Sequence, residues 1–317
     1  MSVFCPGETK PHSGYRHEAL LWHGSDEFLD AAVPFVLEGV AGGQPVMVAV
    51  VEPRLALLQD ALDGRGTSVR FVDMAVLGRN PARIIAAWRD FIEEQGPEPG
   101  PMRGIGEPIW AGRRPEELQE CQLHEALLNQ AIEPEVPLWL LCPYDAEALD
   151  PGVLGESWRS HPSGHGSEWV DSASYGGSHH VGELFGMPLP EPETLAPRIM
   201  FDRHDLGMLR GVVSRLAGSC DVAPRAAADL VLAVHEIASN SVIHGGGGGV
   251  LRWWSSPDAV VVEVRDLGHI TDPMVGRVPP SPQGAGGRGL WLTNQLCDLV
   301  QVRSGTWGTC VRIHHWR

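Results

Sequence analysis

The 317-residue chain is predicted to hold an α/β domain followed by an α+β domain. Three observations predict this. Short apolar runs alternate with helically spaced segments over the first half. A stretch rich in Gly, Ser, His and Pro then breaks the pattern. In the last third, two helical segments precede a series of strands. The length fits two domains at roughly 100–200 residues each.

In the first domain, taken as 12–162, the strand candidates are HEALLW (17–22), PVMVAVV (45–51), VRFVDM (69–74), MRGIG (102–106) and PLWLLCPY (137–144). Helical spacing covers 25–41, 53–62, 80–95 and 115–132, the second starting at Pro53 and the third at Asn80-Pro81. Strands apolar on both faces, each followed by a helix, indicate a parallel sheet covered on both sides. Residues 163–194 show no sustained period and read as an interdomain connector, stiff at its proline-rich end.

The second domain, 195–317, begins with a strand at 198–202 and a helix at 205–218. The next helix runs from 224 to 244, with Asp221 a candidate N-cap and Pro224 in its first turn. Strands at 250–255 and 259–266 follow, then a helix at 288–298 and strands at 299–304 and 309–315. That order makes an α+β sandwich with a mostly antiparallel sheet.

Composition removes several function classes. The net charge of −16 disfavours direct nucleic-acid binding, and no Lys/Arg cluster offsets it. Lys10 is the only lysine, so neither a P-loop nor the strand lysine of a eukaryotic-type protein kinase can be built. The six cysteines form no C-x-x-C pair. No signal peptide and no membrane-spanning apolar run is read, which points to a cytoplasmic protein without membrane contact.

Chemistry concentrates in the second domain. In HEIASNSVIHGGG, Glu236, Asn240 and His244 recur every four residues and share about 80° of one helix face. Ala227, Leu230, Val231, Val234, Ile237 and Ala238 form the opposite, core stripe. A carboxylate and an amide one turn apart can hold a hard cation and orient a proton acceptor; polar residues facing solvent are the plain alternative. In VVVEVRD, Asp266 ends the row Val260, Val262, Val264 and should face the layer between sheet and helices, where a carboxylate needs a partner. An adenine amino group suits it, and Gly268 lets the backbone approach a flat ring; capping a turn is the other reading. Gly284, Gly286, Gly287 and Gly289 precede a helix and can present amides to an anion, with Arg288 as counter-charge. Thr309 shares a strand face with Val311 and Ile313 and can reach the same place.

These residues, in this order over about 120 positions, resemble the GHKL ATPase superfamily, and within it the RsbW/SpoIIAB-type anti-sigma-factor serine kinases. The resemblance implies a Bergerat-type α+β sandwich binding ATP and Mg²⁺. Glu236 would be the general base, Asn240 the Mg²⁺ ligand and Asp266 the adenine reader. The glycine box 284–289 would contact phosphate, with Thr309 supporting Asp266 and His244 and Gly268 completing the pocket. Implied partners are a sigma factor, a STAS-type anti-sigma-factor antagonist and a second copy in a homodimer. His269-Ile270 stands where a further glycine usually follows the D-x-G element, which bears on turnover more than on binding. No phosphoacceptor histidine sits in an H-E-x-x-R/P hairpin, against a full histidine kinase.

The first domain resembles the MEDS domain, a sensory module similar to the DcmR regulator. RHEALLWHGSDEFLDAAVPFV, RGIGEPIWAGR, ECQLHEALLN and WLLCPYD carry the likeness. It implies a RecA/KaiC-like parallel sheet without a P-loop and an unidentified small-molecule signal. The carboxyl ends of such strands offer His23, Glu52, Asp73, Glu107, Trp110, Cys142 and Tyr144 to a ligand, or to caps and turns. Cys121 and His124 share a helix face, and His17, Cys142 and His161 could join them as metal or haem ligands; scattered core histidines are the alternative. The expected function is a sensor controlling an ATP-binding anti-sigma factor and serine/threonine kinase. The alternative is a non-catalytic sequestering protein whose ATP pocket only shapes a partner surface. A metabolic enzyme lacks any nucleophile–base constellation in the first domain.

Overall fold

The structure, a computed structural model, describes residues 14–165, 169–193, 195–280 and 287–317. The chain divides into two compact units, 1–180 and 181–317.

The first unit runs β1 (Arg16–Trp22), α1 (Gly24–Ala41), β2 (Val46–Val50), α2 (Arg54–Leu62), β3 (Arg70–Asp73), α3 (Met74–Leu77), α4 (Ile84–Glu93), β4 (Met102–Gly106), α5 (Pro115–Ala131), β5 (Leu138–Asp145), α6 (Pro151–Ser160), β6 (Ser163–His165) and β7 (Trp169–Asp171); α7 (Gly177–Gly186) straddles the division. The strands form one sheet in the order β3-β2-β4-β5-β1-β6-β7. All pairings are parallel except β6 with β7.

The period of two sorts these strands onto two faces. Leu20, Trp22, Val46, Val48, Val50, Ile105, Trp139 and Leu141 pack with Phe28, Phe35 and Val36 of α1 and Leu55, Leu58 and Leu62 of α2. The alternate residues meet the helices of the other layer. Trp88 of α4 lies flat against β4, where Cβ atoms added at Gly104 and Gly106 would stand 2.7 and 3.0 Å from its ring.

The segment expected to be one helix over 80–95 is a 3₁₀ turn (Pro81–Arg83) leading into α4, because the Asn80 side chain accepts from the Ala82 N–H and caps the turn. The connector expected over 163–194 carries β6, β7 and all of α7. α6 has a start signal in Asp150-Pro151, with the Asp150 carboxylate accepting from the Gly152 N–H. Its two glycines and short apolar stripe hide the rest.

The second unit runs β8 (Arg198–Asp202), α8 (Leu206–Ser219), α9 (Pro224–His244), β9 (Gly248–Ser255), β10 (Ala259–Asp266), α10 (Arg288–Leu296), β11 (Leu299–Gly305) and β12 (Gly308–Trp316). The sheet, β11-β12-β10-β9-β8, is antiparallel throughout. Leu230, Ala233, Val234, Ile237, Ala238 and Ser241 form the buried stripe of α9. That helix has the length and apolar composition of a membrane span, yet its apolar stripe is packed within the domain. Pro224 takes the first helical position, but the N-cap is Ala223 and not Asp221, which adopts a left-handed φ of 54° in the turn after α8. Away from the helices, Arg252, Arg265 and Arg312 from three strands converge on the buried Glu263 at 3.2, 2.7 and 2.7 Å.

Since the Trp88 ring fills the space a side chain at 104 would need, Gly104→Ala should destabilise the first domain by about 1–3 kcal/mol. A lowered denaturant midpoint with an unchanged transition in the second domain is the expected readout.

Candidate functional site

The second domain encloses a cavity of about 540 Å³ between α9, the ends of β10 and β12, and the start of α10. Glu236, Asn240, His244, Asp266, Gly268, Gly287, Arg288, Gly289 and Thr309 all line it. Gly284 and Gly286 lie outside the described residues. Its size falls in the range of cofactor clefts.

Each wall follows from local sequence. Glu236 and Asn240 are half-buried, and His244 is exposed at the end of α9. Asp266 and Thr309 sit opposite each other at the last paired position of β10 and β12, one step beyond Val264 and Val311. The apolar rows of both strands therefore end in polar groups at the same edge.

Asp266 is fixed from two sides: the Ser241 hydroxyl donates to its Oδ2 at 2.5 Å and the Gly268 N–H to its Oδ1 at 2.8 Å. The Thr309 hydroxyl bonds to the turn beyond the Asp266 carboxylate. It donates to the Gly268 carbonyl at 2.9 Å and pairs with Ser304 Oγ at 2.9 Å, so it secures the turn carrying Asp266. Ser304 also accepts from the Ile270 N–H at 2.9 Å, tying down the position where a glycine was expected. A Cβ at Gly245 would lie 2.6 Å from the Ser241 carbonyl and run into the Asp266 carboxylate. Only a glycine lets the end of α9 pass this close.

The N-terminus of α10 closes the cavity. Gly287 adopts a left-handed φ of 84° before the helix, and Arg288 is exposed at its first position. A Cβ at Gly289 would stand 3.1 Å from both Glu236 Oε2 and Asn240 Nδ2. Its absence lets the helix start, with its outward N–H groups, face the carboxylate–amide pair. Neither Ser241 nor Ser304 carries a chemical motif that marks it as a site residue. Ser241 was legible one turn after Ile237 on the buried stripe; Ser304 carried no signal before its pairing with Thr309 in the β11–β12 register.

In the first domain the strand-end candidates scatter. The Asp73 side chain caps α3, and His23 pairs with Glu27 in an exposed (i, i+4) contact. Glu52 is exposed. Trp110 lies under the Arg113 guanidinium at 3.8 Å. Glu107 is buried against Arg54 at 2.6 Å, and burial outweighs that partner to push its carboxyl up to about 7. Of the metal-ligand candidates, His17, Cys142 and His161 come together, joined by Glu125, which the sequence did not suggest. Cys121 stands apart, its thiol donating to the Pro108 carbonyl, and His124 is buried outside the group. Burial and the neighbouring Glu125 carboxylate push the Cys142 thiol well above its usual range.

Residues 16–162 match the family model of the methanogen/methylotroph, DcmR sensory (MEDS) domain, and residues 201–315 match that of the histidine kinase-like ATPase domain. No curated protein matches the chain. Among solved structures, the chain is similar to the RsbU and RsbW domains of Rv1364c from Mycobacterium tuberculosis. Identity is 20% over 39% of this chain and 33% of that one, with a TM-score of 0.30. The chain thus spans about a third of that structure's length.

Ser241→Ala removes a hydroxyl bonded to a carboxylate and should cost the second domain about 1.5 kcal/mol, read as a lowered denaturant midpoint. An unchanged midpoint would mean that the bond adds nothing to the fold.

Proposed function

We propose that this chain, a MEDS sensory domain joined to a histidine kinase-like ATPase domain, is a cytoplasmic signalling regulator in which the first domain controls an ATP-binding anti-sigma factor. The second domain would hold a sigma factor and phosphorylate a serine or threonine of a STAS-type antagonist. The observation that carries the reading is the convergence of Glu236, Asn240, Asp266, Thr309 and the start of α10 on one cavity.

The residues fit Mg²⁺-ATP. Asp266, kept as a hydrogen-bond acceptor by Ser241 and the Gly268 amide, suits the exocyclic amine of adenine. Ile270, Val275 and Val311 supply apolar walls for a flat ring. At the other end, the amides at the N-terminus of α10 suit phosphate oxygens, and Arg288 offers positive charge beside them. The Asn240 carboxamide oxygen would hold Mg²⁺, which neutralises phosphate charge when bound. Glu236, one turn away on the same helix face, would accept the proton of an incoming hydroxyl.

A second reading, sequestration without phosphoryl transfer, draws support from one feature. Ile270 is held by Ser304 where a glycine would leave the loop free. The two readings separate on Glu236→Ala.

Incubated with labelled ATP and candidate antagonists, the wild-type chain should transfer label to one of them. Glu236→Ala should retain ATP affinity within a few-fold yet lose transfer by at least ~100-fold, the scale of general-base catalysis. Asp266→Asn should weaken ATP binding itself by at least ~10-fold, about 1.4 kcal/mol. Full signalling by Glu236→Ala would leave sequestration as the function; no ATP binding by the wild type would end the kinase reading.

A further inference from the structure

The first domain brings four side chains, from three elements and the end of a fourth, to one buried point. His17 comes from β1, Cys142 from β5, Glu125 from α5, and His161 directly follows α6. One ligand-capable atom from each lies within 4.8 Å of every other. All four residues are buried. Strand periodicity accounts for two of them, since His17 and Cys142 fall on the face that α5 covers.

The hydrogen bonds around this group fix which atoms point inward. The Asn129 amide donates through Nδ2 to the Ser160 carbonyl at 2.8 Å, so its Oδ1 turns to His17 Nδ1 at 3.2 Å. His161 Nδ1 donates to the Ser157 carbonyl at 2.8 Å. Both imidazoles therefore carry their proton on Nδ1 and present the Nε2 lone pair to the centre. There each Nε2 faces the same carboxylate oxygen: Glu125 Oε2 lies 3.0 Å from His17 and 3.1 Å from His161. Cys142 Sγ is 3.4 Å from His17 Nε2. With neutral rings, three acceptors converge, and the Cys142 S–H beside them can serve only one at a time. One added proton satisfies one contact and leaves the other; two would place imidazolium rings at a centroid distance of 4.0 Å. A single cation satisfies all three at once.

We propose that His17, Glu125, Cys142 and His161 form a closed four-ligand site for one divalent cation of the zinc type. Two imidazole nitrogens, a thiolate and a carboxylate are the donors that zinc takes, and a histidine whose other nitrogen binds a carbonyl is the usual form of a zinc ligand. Three of the six donor spacings are 3.0, 3.1 and 3.4 Å and the others lie within 4.8 Å, so they bracket the roughly 3.3–3.8 Å edges of a tetrahedron with zinc–ligand bonds. Charge balances as well. On binding, the Cys142 thiol loses its proton to water, and thiolate plus carboxylate neutralise the divalent ion. Four protein donors leave no open position for a reacting water, so the site serves structure or metal response. This inference is independent of the nucleotide reading, which concerns the other domain.

The full chain, stripped by chelator and shown folded by circular dichroism, is titrated with Zn²⁺ or Co²⁺ alone. One ion per chain should remain bound through gel filtration, and Co²⁺ should give tetrahedral ligand-field bands with a thiolate-to-cobalt charge-transfer band. Cys142→Ser should abolish that band, and His161→Ala should weaken binding at least ~100-fold, while Asn129→Ala, which removes only a supporting bond, should weaken it roughly 10–100-fold. Folded wild-type chain that takes up neither ion in stoichiometric amount overturns the proposal. So does a charge-transfer band that survives in Cys142→Ser. The wild-type titration decides even where a variant fails to fold.

Discussion

A carboxylate at the end of an apolar strand row sets the terms for the second domain. Asp266 follows Val260, Val262 and Val264 toward the layer under the helices, and a half-buried charge there requires donors on both oxygens. Ser241 and the Gly268 amide supply them. That requirement brings α9 close enough for Gly245 to be obligatory and places Thr309 and Ser304 behind the turn. The same approach aligns Glu236 and Asn240 with the start of α10. The cavity and its polarity gradient, apolar toward Val311 and cationic toward Arg288, are consequences of accommodating one charge.

The first domain follows a different rule. Its sheet is covered on both faces, so polar residues on its strands must find partners inside. Glu18 does so with Arg16, Trp139 and His165. Burial alone would raise its carboxyl, but these partners hold it down at about 2. His17, its neighbour on the opposite face, meets Glu125 and Cys142 instead. The two faces of one strand thus carry two buried polar clusters, one closed by arginine and the other by histidine and thiol.

Much of this was legible in the sequence because periodicity reports burial. The parallel sheet followed from strands apolar on both faces, and the meeting of Asp266 with Thr309 from two rows of period two. The pairing of Glu236 with Asn240 followed from a spacing of four on a helix. What stayed hidden depended on contacts between distant segments. Glu125 joined the histidines only through the crossing of α5 over β1 and β5, and nothing in QLHEALLNQ, most of which is buried, marks this glutamate as a ligand. Residues 163–194 looked like a connector because β6 and β7 are three residues each, too short to show a period. Asp221 looked like a helix cap because Asp is favoured both there and in the left-handed turn that it occupies.

The position of a bound adenine decides whether the cavity is a nucleotide site. A crystal structure of the second domain within the full chain, grown with Mg²⁺ and a non-hydrolysable ATP analogue, measures this directly. The exocyclic amine should lie within hydrogen-bonding distance of the Asp266 carboxylate, with the phosphates against the start of α10. A nucleotide bound elsewhere, or an Asp266 carboxylate turned to bulk water with the analogue present, would contradict that placement.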